Sequence, residues 1–310
     1  MSDLTVVYCE LSLRNPVLAS SSAGVTELER AREYADAGAS AITLAPISDA
    51  SGSPSPSLDE ARQDRDPEAL DYAREIGTRL ASERTTSLIR ELKGELDIPI
   101  IASLRCSRRK WWMVYARQAA KAGANALELD LSLLDHNSST RADQWERRAL
   151  RAVDAVRSAV ELPIIVKVPY SLTCLNGFVH ACKDAGARSV LLTADRRRLP
   201  VDHKRLERGE TALLGEGDRQ GMQYWLAELY RNAGLELAAD LVTGGADSAS
   251  AILAGAQTVS YGDPAAGPEG LGTTLRSLQR WMESHTFSTL HEARGRLSRW
   301  EREKLLESRG

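Results

Sequence analysis

Ala122-Gly123-Ala124-Asn125-Ala126-Leu127-Glu128-Leu129-Asp130 lies near the middle of the chain, and its form recurs. A helix-like stretch ends on Ala-Gly-Ala, and a short apolar run follows within a few residues. The same phrase stands at Ala37-Gly38-Ala39, Ala185-Gly186-Ala187 and Ala254-Gly255-Ala256. Glycine suits the left-handed residue just past a helix C-terminus, and small neighbours let the chain turn at once into a strand. Between the repeats, Ile98-Pro99 and Leu162-Pro163 close loops and open further apolar runs.

Working outward, continuous apolar runs predict strands at 17–20, 41–45, 100–104, 126–131, 164–168, 189–193, 237–243 and 258–261. Helical spacing is clearest at 27–37, 112–122, 145–160, 176–185, 223–233 and 248–254. Eightfold strand–helix alternation predicts an α/β fold, a (β/α)8 TIM barrel spanning 1–310 as a single domain. An open doubly wound sheet is the rival, disfavoured because the repeat runs evenly along the chain. Residues 4–13 alternate and read as a hairpin before the first strand, while 271–285 and 289–307 read as closing helices. Residues 49–66, rich in Ser, Pro and Asp, follow the second strand and belong on the C-terminal rim, as a lid or as an insertion.

Hydrophobic residues make up 43% of the 310 and charged residues 27%, enough to bury a full core. A net charge of −3 argues against nucleic acid or an anionic membrane as partner. No membrane span or secretory signal is evident. The four cysteines lie far apart without a CxxC pair, so reduced thiols in a cytoplasmic protein are expected and structural zinc is not.

Several segments resemble the soluble class of dihydroorotate dehydrogenases. They are 11–20 (LSLRNPVLAS), Glu128-Leu129-Asp130-Leu131-Ser132, Val166-Lys167-Val168-Pro169, Thr243-Gly244-Gly245 and the tail Trp281-Met282-Glu283-Ser284-His285. With Ile101-Ala102-Ser103-Leu104 and Tyr115-Ala116-Arg117-Gln118, the chain is most similar to a divergent dihydroorotate dehydrogenase-like branch. The resemblance implies FMN across the barrel mouth and a homodimer. It puts Ala19, Ser20 and Ser21 against the flavin, Lys167 at the polar side of the ring, and Gly244, Gly245 and Gly262 at the phosphate. Glycine does let backbone amides approach an anion, and a lysine at a strand end is a fixed cation.

The pattern is broken at five positions. Leu44 stands where the family has a lysine, Leu133 where it has the catalytic cysteine, Asp135 where it has an asparagine, and Asp263 where it has a threonine beside the phosphate. Asp130 also replaces an asparagine. Leucine cannot take a proton, so dihydroorotate itself is not the expected substrate. Leu44 and Asp263 bear against FMN. The reading therefore has two branches: an FMN-type oxidoreductase using Lys167 and Asp130 on a small anionic substrate, or a catalytically degenerate barrel serving as a binding or assembly module. A metal-assisted site at Asp130 and Asp263 is a third option. Lys167 has a structural alternative, a buried ion pair with Asp130 or Glu128.

Two basic loops follow strands. Arg105, Arg108 and Arg109 come after the third strand, and Arg196 and Arg197 after the sixth. Both leave C-terminal strand ends, so they share a rim that suits a small anion or an acidic protein partner; solvated loops are the alternative. Of Trp111 and Trp112, one ring is expected in the core and one near a ligand or subunit. Cys106, flanked by arginines, is either an activated thiol or an inert one.

Overall fold

The repeat's glycines take the conformation the sequence demands, with φ +105° at Gly38, +101° at Gly123, +94° at Gly186 and +129° at Gly255. The computed structural model describes residues 2–49, 67–132, 140–194, 201–202, 207–208 and 215–298. A hairpin of β1 (Val6–Tyr8) and β2 (Leu11–Leu13) precedes β3 (Val17–Ala19), α1 (Leu28–Asp36), β4 (Ile42–Thr43) and β5 (Ile47–Ser48). Then come α2 (Pro67–Glu95), β6 (Ile100–Arg105), α3 (Arg109–Ala122), β7 (Ala126–Asp130), α4 (Ala142–Arg157), β8 (Ile164–Pro169), α5 (Leu175–Asp184) and β9 (Ser189–Thr193). A small antiparallel pair, β10 (Val201–Asp202) and β11 (Glu207–Arg208), is followed by α6 (Glu216–Asn232), β12 (Glu236–Val242), α7 (Gly245–Ala254), β13 (Thr258–Tyr261), α8 (Gly267–Ser284) and α9 (Leu290–Ala293).

The sheet runs parallel in the order β4-β3-β13-β12-β9-β8-β7-β6-β5, and a β4–β6 pairing closes it. The fold is thus a closed (β/α)8 barrel. Its second strand is interrupted at Pro46, which has no N–H for the ladder, and so appears as β4 and β5. Three features go beyond the sequence reading. α2 lies where no helix was marked, and β10–β11 were not foreseen. The expected 289–307 helix opens with the short α9 and is interrupted at extended Arg294 (ψ 128°); residues 296–298 are helical again, and those beyond 298 lie outside the described residues. Residues 50–66 of the expected rim loop also lie outside it.

Alternation along the strands divides two compartments. Ile42, Leu44, Ile100, Ala102, Leu104, Leu127, Leu129, Val166, Val168, Val190, Leu192 and Val259 point outward and pack with the helices. Inward, the lower barrel is filled by Leu18, Ala41, Ile101, Ala126, Ile165, Leu191 and Ala238, closed beneath by Tyr8, Cys9 and Leu13 of the hairpin. Cys9 (φ 49°) and Glu10 (φ 63°) form the two-residue turn joining β1 to β2. Positive φ at both positions matches the twist of a tight hairpin. The Cys9 amide donates to Glu236 Oε2 at 2.6 Å and Ser189 Oγ donates to Tyr8 Oη at 2.9 Å, so the plug is fastened to the strands above it. No helix among the described residues is long and apolar enough to cross a membrane.

Candidate functional site

The same alternation makes the upper barrel interior polar. Ser20, Thr43, Ser103, Glu128, Asp130, Lys167, Thr193 and Asp240 are all buried and come from seven of the eight barrel strands. Buried charge is tolerated only when paired and hydrogen-bonded, and the pairing here is specific. Lys167 Nζ lies 2.5 Å from Asp240 Oδ2, with neither side chain exposed, and donates to Ser21 Oγ at 3.1 Å. Ser20 Oγ donates to Asp240 Oδ1 at 2.5 Å. Ser21 Oγ and Ser103 Oγ each donate to Glu128 Oε1 at 2.7 Å. Arg105 Nη2 meets Asp130 Oδ2 at 2.5 Å, while the Ser132 amide and hydroxyl donate to Asp130 Oδ1 at 3.0 and 2.5 Å.

These partners set the proton affinities. Burial alone would raise the Asp130 carboxyl, but the Lys167 and Arg105 charges with the Ser132 hydrogen bond outweigh it and hold it at about 2. Glu128 goes the other way. Burial pushes it up, Lys167 opposes, and Asp130 and Asp240 add to the rise. Lys167 is therefore neither isolated nor paired with Glu128 or Asp130 at contact distance. Its direct partner is Asp240, which the sequence reading did not single out.

Above this layer, α7 begins at Gly245 after an extended Gly244 (φ −166°). The first amides of a helix have no intrahelical acceptor and favour an anion. A Cβ added at Gly244 would meet nothing within 4 Å, whereas one at Gly245 would come within 2.3 Å of Ser277 Cβ on α8. Gly245 is thus required for helix packing, and Gly244 leaves space beside the amides. The Gly262 amide turns to the Val242 carbonyl at 3.4 Å. Thr193 Oγ1, at the end of β9, is buried with no hydrogen-bond partner among the described residues. The helix-start amides, the orphaned hydroxyl and the buried cation are groups that could hold a phosphate-bearing cofactor, the phosphate at the α7 start and the rest beside Ser20, Ser21, Lys167 and Thr193.

Other expected residues fall elsewhere. The Ala19 and Leu44 side chains point outward into the barrel–helix layer, so the inward side chain on the second strand is Thr43. Asp263 Oδ1 accepts from the Ala265 and Ala266 amides at 2.9 and 3.2 Å, steadying the turn before α8. Arg105 is turned inward to Asp130, while Arg108 and Arg109 are exposed at the start of α3. Asp49 fills that helix start. It accepts from the Ser107 amide at 3.0 and 2.9 Å, the Ser107 hydroxyl at 2.8 Å and the Arg108 amide at 3.2 Å. Trp112 is core; Trp111 stacks on Tyr115 at 5.5 Å under Lys110. Cys106 is buried, and burial pushes its thiol well up, so the activated-thiol alternative fails. Among the described residues no group of acidic, His or Cys side chains could hold a metal, Asp130 and Asp263 included. Leu133, Asp135, Arg196 and Arg197 lie outside the described residues.

Asp240, Ser103, Thr193 and Asp49 are the residues that sequence reading missed. The first three carry a legible signal, a polar residue inside an otherwise apolar strand at an inward position. Their partners lie on other strands and are set by barrel stagger.

No family model matches the chain. A curated protein of Aeropyrum pernix, named "Putative dihydroorotate dehydrogenase A (fumarate)", is 26% identical over 218 residues, covering 68% of this chain and 71% of that protein. With the closed barrel and the segments quoted above, this makes the chain a divergent relative of the dihydroorotate dehydrogenases.

Proposed function

We propose that the chain is an FMN-type oxidoreductase of the dihydroorotate dehydrogenase-like kind, acting at the barrel mouth on a small anion other than dihydroorotate. The observation that carries this reading is Lys167, a lysine without solvent exposure beneath the mouth, held in place by Asp240 and Ser21. Keeping a buried charge costs several kcal/mol unless it is paired, and an apolar residue would fill the same space more simply. FMN would supply redox chemistry; the α7 amides would take its phosphate, and Ser20, Ser21 and Lys167 would line its ring. Arg108 and Arg109, exposed on the rim, suit the substrate's negative charge. A homodimer in the cytoplasm completes the reading.

Purified protein should be yellow and release stoichiometric flavin on denaturation. A colourless protein with no saturable response to added FMN overturns it. Dihydroorotate oxidation should be absent in either case, because Leu133 stands where the resemblance puts the catalytic cysteine; loss of a general base lowers rates by roughly 10²–10⁴-fold. The second reading, a binding module without catalysis, is favoured by Leu133, which offers no proton acceptor where the resemblance puts the catalytic cysteine.

A further inference from the structure

Among the described residues, the barrel interior holds three carboxyl groups, Glu128, Asp130 and Asp240, and two cations, Lys167 and Arg105. Each aspartate touches a cation: Asp240 meets Lys167, and Asp130 meets Arg105. Glu128 receives only the neutral hydroxyls of Ser21 and Ser103, both on Oε1. Its Oε2 accepts no hydrogen bond among the described residues, which leaves that oxygen for a proton. Among the described residues, the titratable groups that bear on Glu128 are Lys167 on β8, Asp130 on its own strand, Asp240 on β12, and the Tyr8 phenol rising from the hairpin. With all three carboxyls ionised, the network would hold an uncompensated negative charge in a low-dielectric interior. One proton on the carboxyl without a cation restores neutrality.

We infer that Glu128 is a neutral carboxylic acid at physiological pH and serves as the proton store of this site, linked to the mouth through Ser21 and Lys167. The line is continuous: Lys167 Nζ donates to Ser21 Oγ at 3.1 Å, and Ser21 Oγ donates to Glu128 Oε1 at 2.7 Å. When Lys167 Nζ passes a proton to an acceptor at the mouth, the Ser21 hydroxyl turns to donate to the amine and the Glu128 carboxyl rotates to bring its Oε2–H to Ser21 Oγ. The ammonium is restored and a carboxylate remains. Run backwards, the same line takes up a proton released at the mouth, the role for which Leu133 has no chemistry. No electron moves in this exchange, and only a mouth-side acceptor or donor is required.

The experiment compares wild-type protein and Glu128→Gln by infrared spectroscopy with ¹³C-labelled glutamate at pH 7. Expected is one protonated-carboxyl C=O band in the wild type, sensitive to deuterium and missing from Glu128→Gln. Thermal unfolding supplies an independent arm. Glutamine preserves a neutral side chain, so Glu128→Gln should melt within about 2 °C of wild type, whereas Asp240→Asn, which strips Lys167 of its partner, should fall by about 5 °C or more. An ionised Glu128 carboxylate in the wild-type spectrum overturns the inference, as does a Glu128→Gln melting loss equal to that of Asp240→Asn. Neither arm needs bound flavin, so a colourless protein would sink the oxidoreductase reading and leave this one standing.

Discussion

Lys167 and Asp240 form the most exacting contact in the molecule, since each is fully buried and each would be an uncompensated charge alone. Lys167→Met should therefore lose about 3–5 kcal/mol, read from urea unfolding. The double variant Lys167→Met/Asp240→Leu should recover much of that, because it removes both charges together; an equal or larger loss would mean the pair itself stabilises the fold. Gly245→Ala should cost about 1–3 kcal/mol by forcing α7 from Ser277, whereas Gly244→Ala, with open space at its Cβ, should be nearly neutral in the same assay. Lys167 stands out in the sequence because an apolar strand surrounds it. Asp240 is equally visible in Leu237-Ala238-Ala239-Asp240-Leu241-Val242, yet nothing local says that it will meet a residue 73 positions earlier. Strand stagger around a closed barrel decides that contact, and stagger is a property of the whole sheet.

Among the elements, the legible ones are those whose apolar spacing is dense. β9 and β13 fall at their expected bounds, and β6, β7 and β8 within a residue of theirs, because uninterrupted Ile, Val and Leu runs leave little choice. The second strand is split because Pro46 interrupts an apolar run that reads as continuous. α2 is hidden for another reason: Arg79, Glu83, Arg84, Thr85 and Thr86 dilute its apolar stripe, so its periodicity is weak although it is the longest helix among the described residues. α3 has a different irregularity. Arg108, Arg109 and Lys110 crowd the positive end of the helix dipole with no acidic residue in the first turn. Asp49 offsets this from another loop, with four hydrogen bonds to the helix start. Asp49→Ala should cost about 1–2 kcal/mol in thermal or urea unfolding, as loss of a helix cap does. A change of only a few tenths would mean solvent serves the helix start as well as the carboxylate does.

Across the whole molecule, the interior carboxyls give stability opposing dependences on pH. Asp130 is held at about 2 against 3.8, so its contribution is present above the unfolded value and is lost as pH falls toward 2. It amounts to roughly 2 kcal/mol. Glu128 is raised, so its contribution is complete below the unfolded value of 4.5 and fades as pH climbs through the folded one. Urea midpoints measured across pH should show Asp130→Asn flattening the acid limb and Glu128→Gln flattening the opposite one. Barrel closure, unlike these pairings, could be foreseen from the evenness of the Ala-Gly-Ala repeat. The hairpin at residues 6–13 was foreseen as well, but not its destination beneath the barrel. That destination sets an order of events. Cys9 is held by Glu236, 227 positions later, so during synthesis the hairpin emerges long before the strand that fastens it. It can seat only after most of the wall has formed, as long-range contacts that must await loop closure do. Glu236→Ala should accordingly leave the refolding rate almost unchanged and speed unfolding, the kinetic mark of a contact made after the transition state. The floor of the barrel is translated before its wall and laid after it.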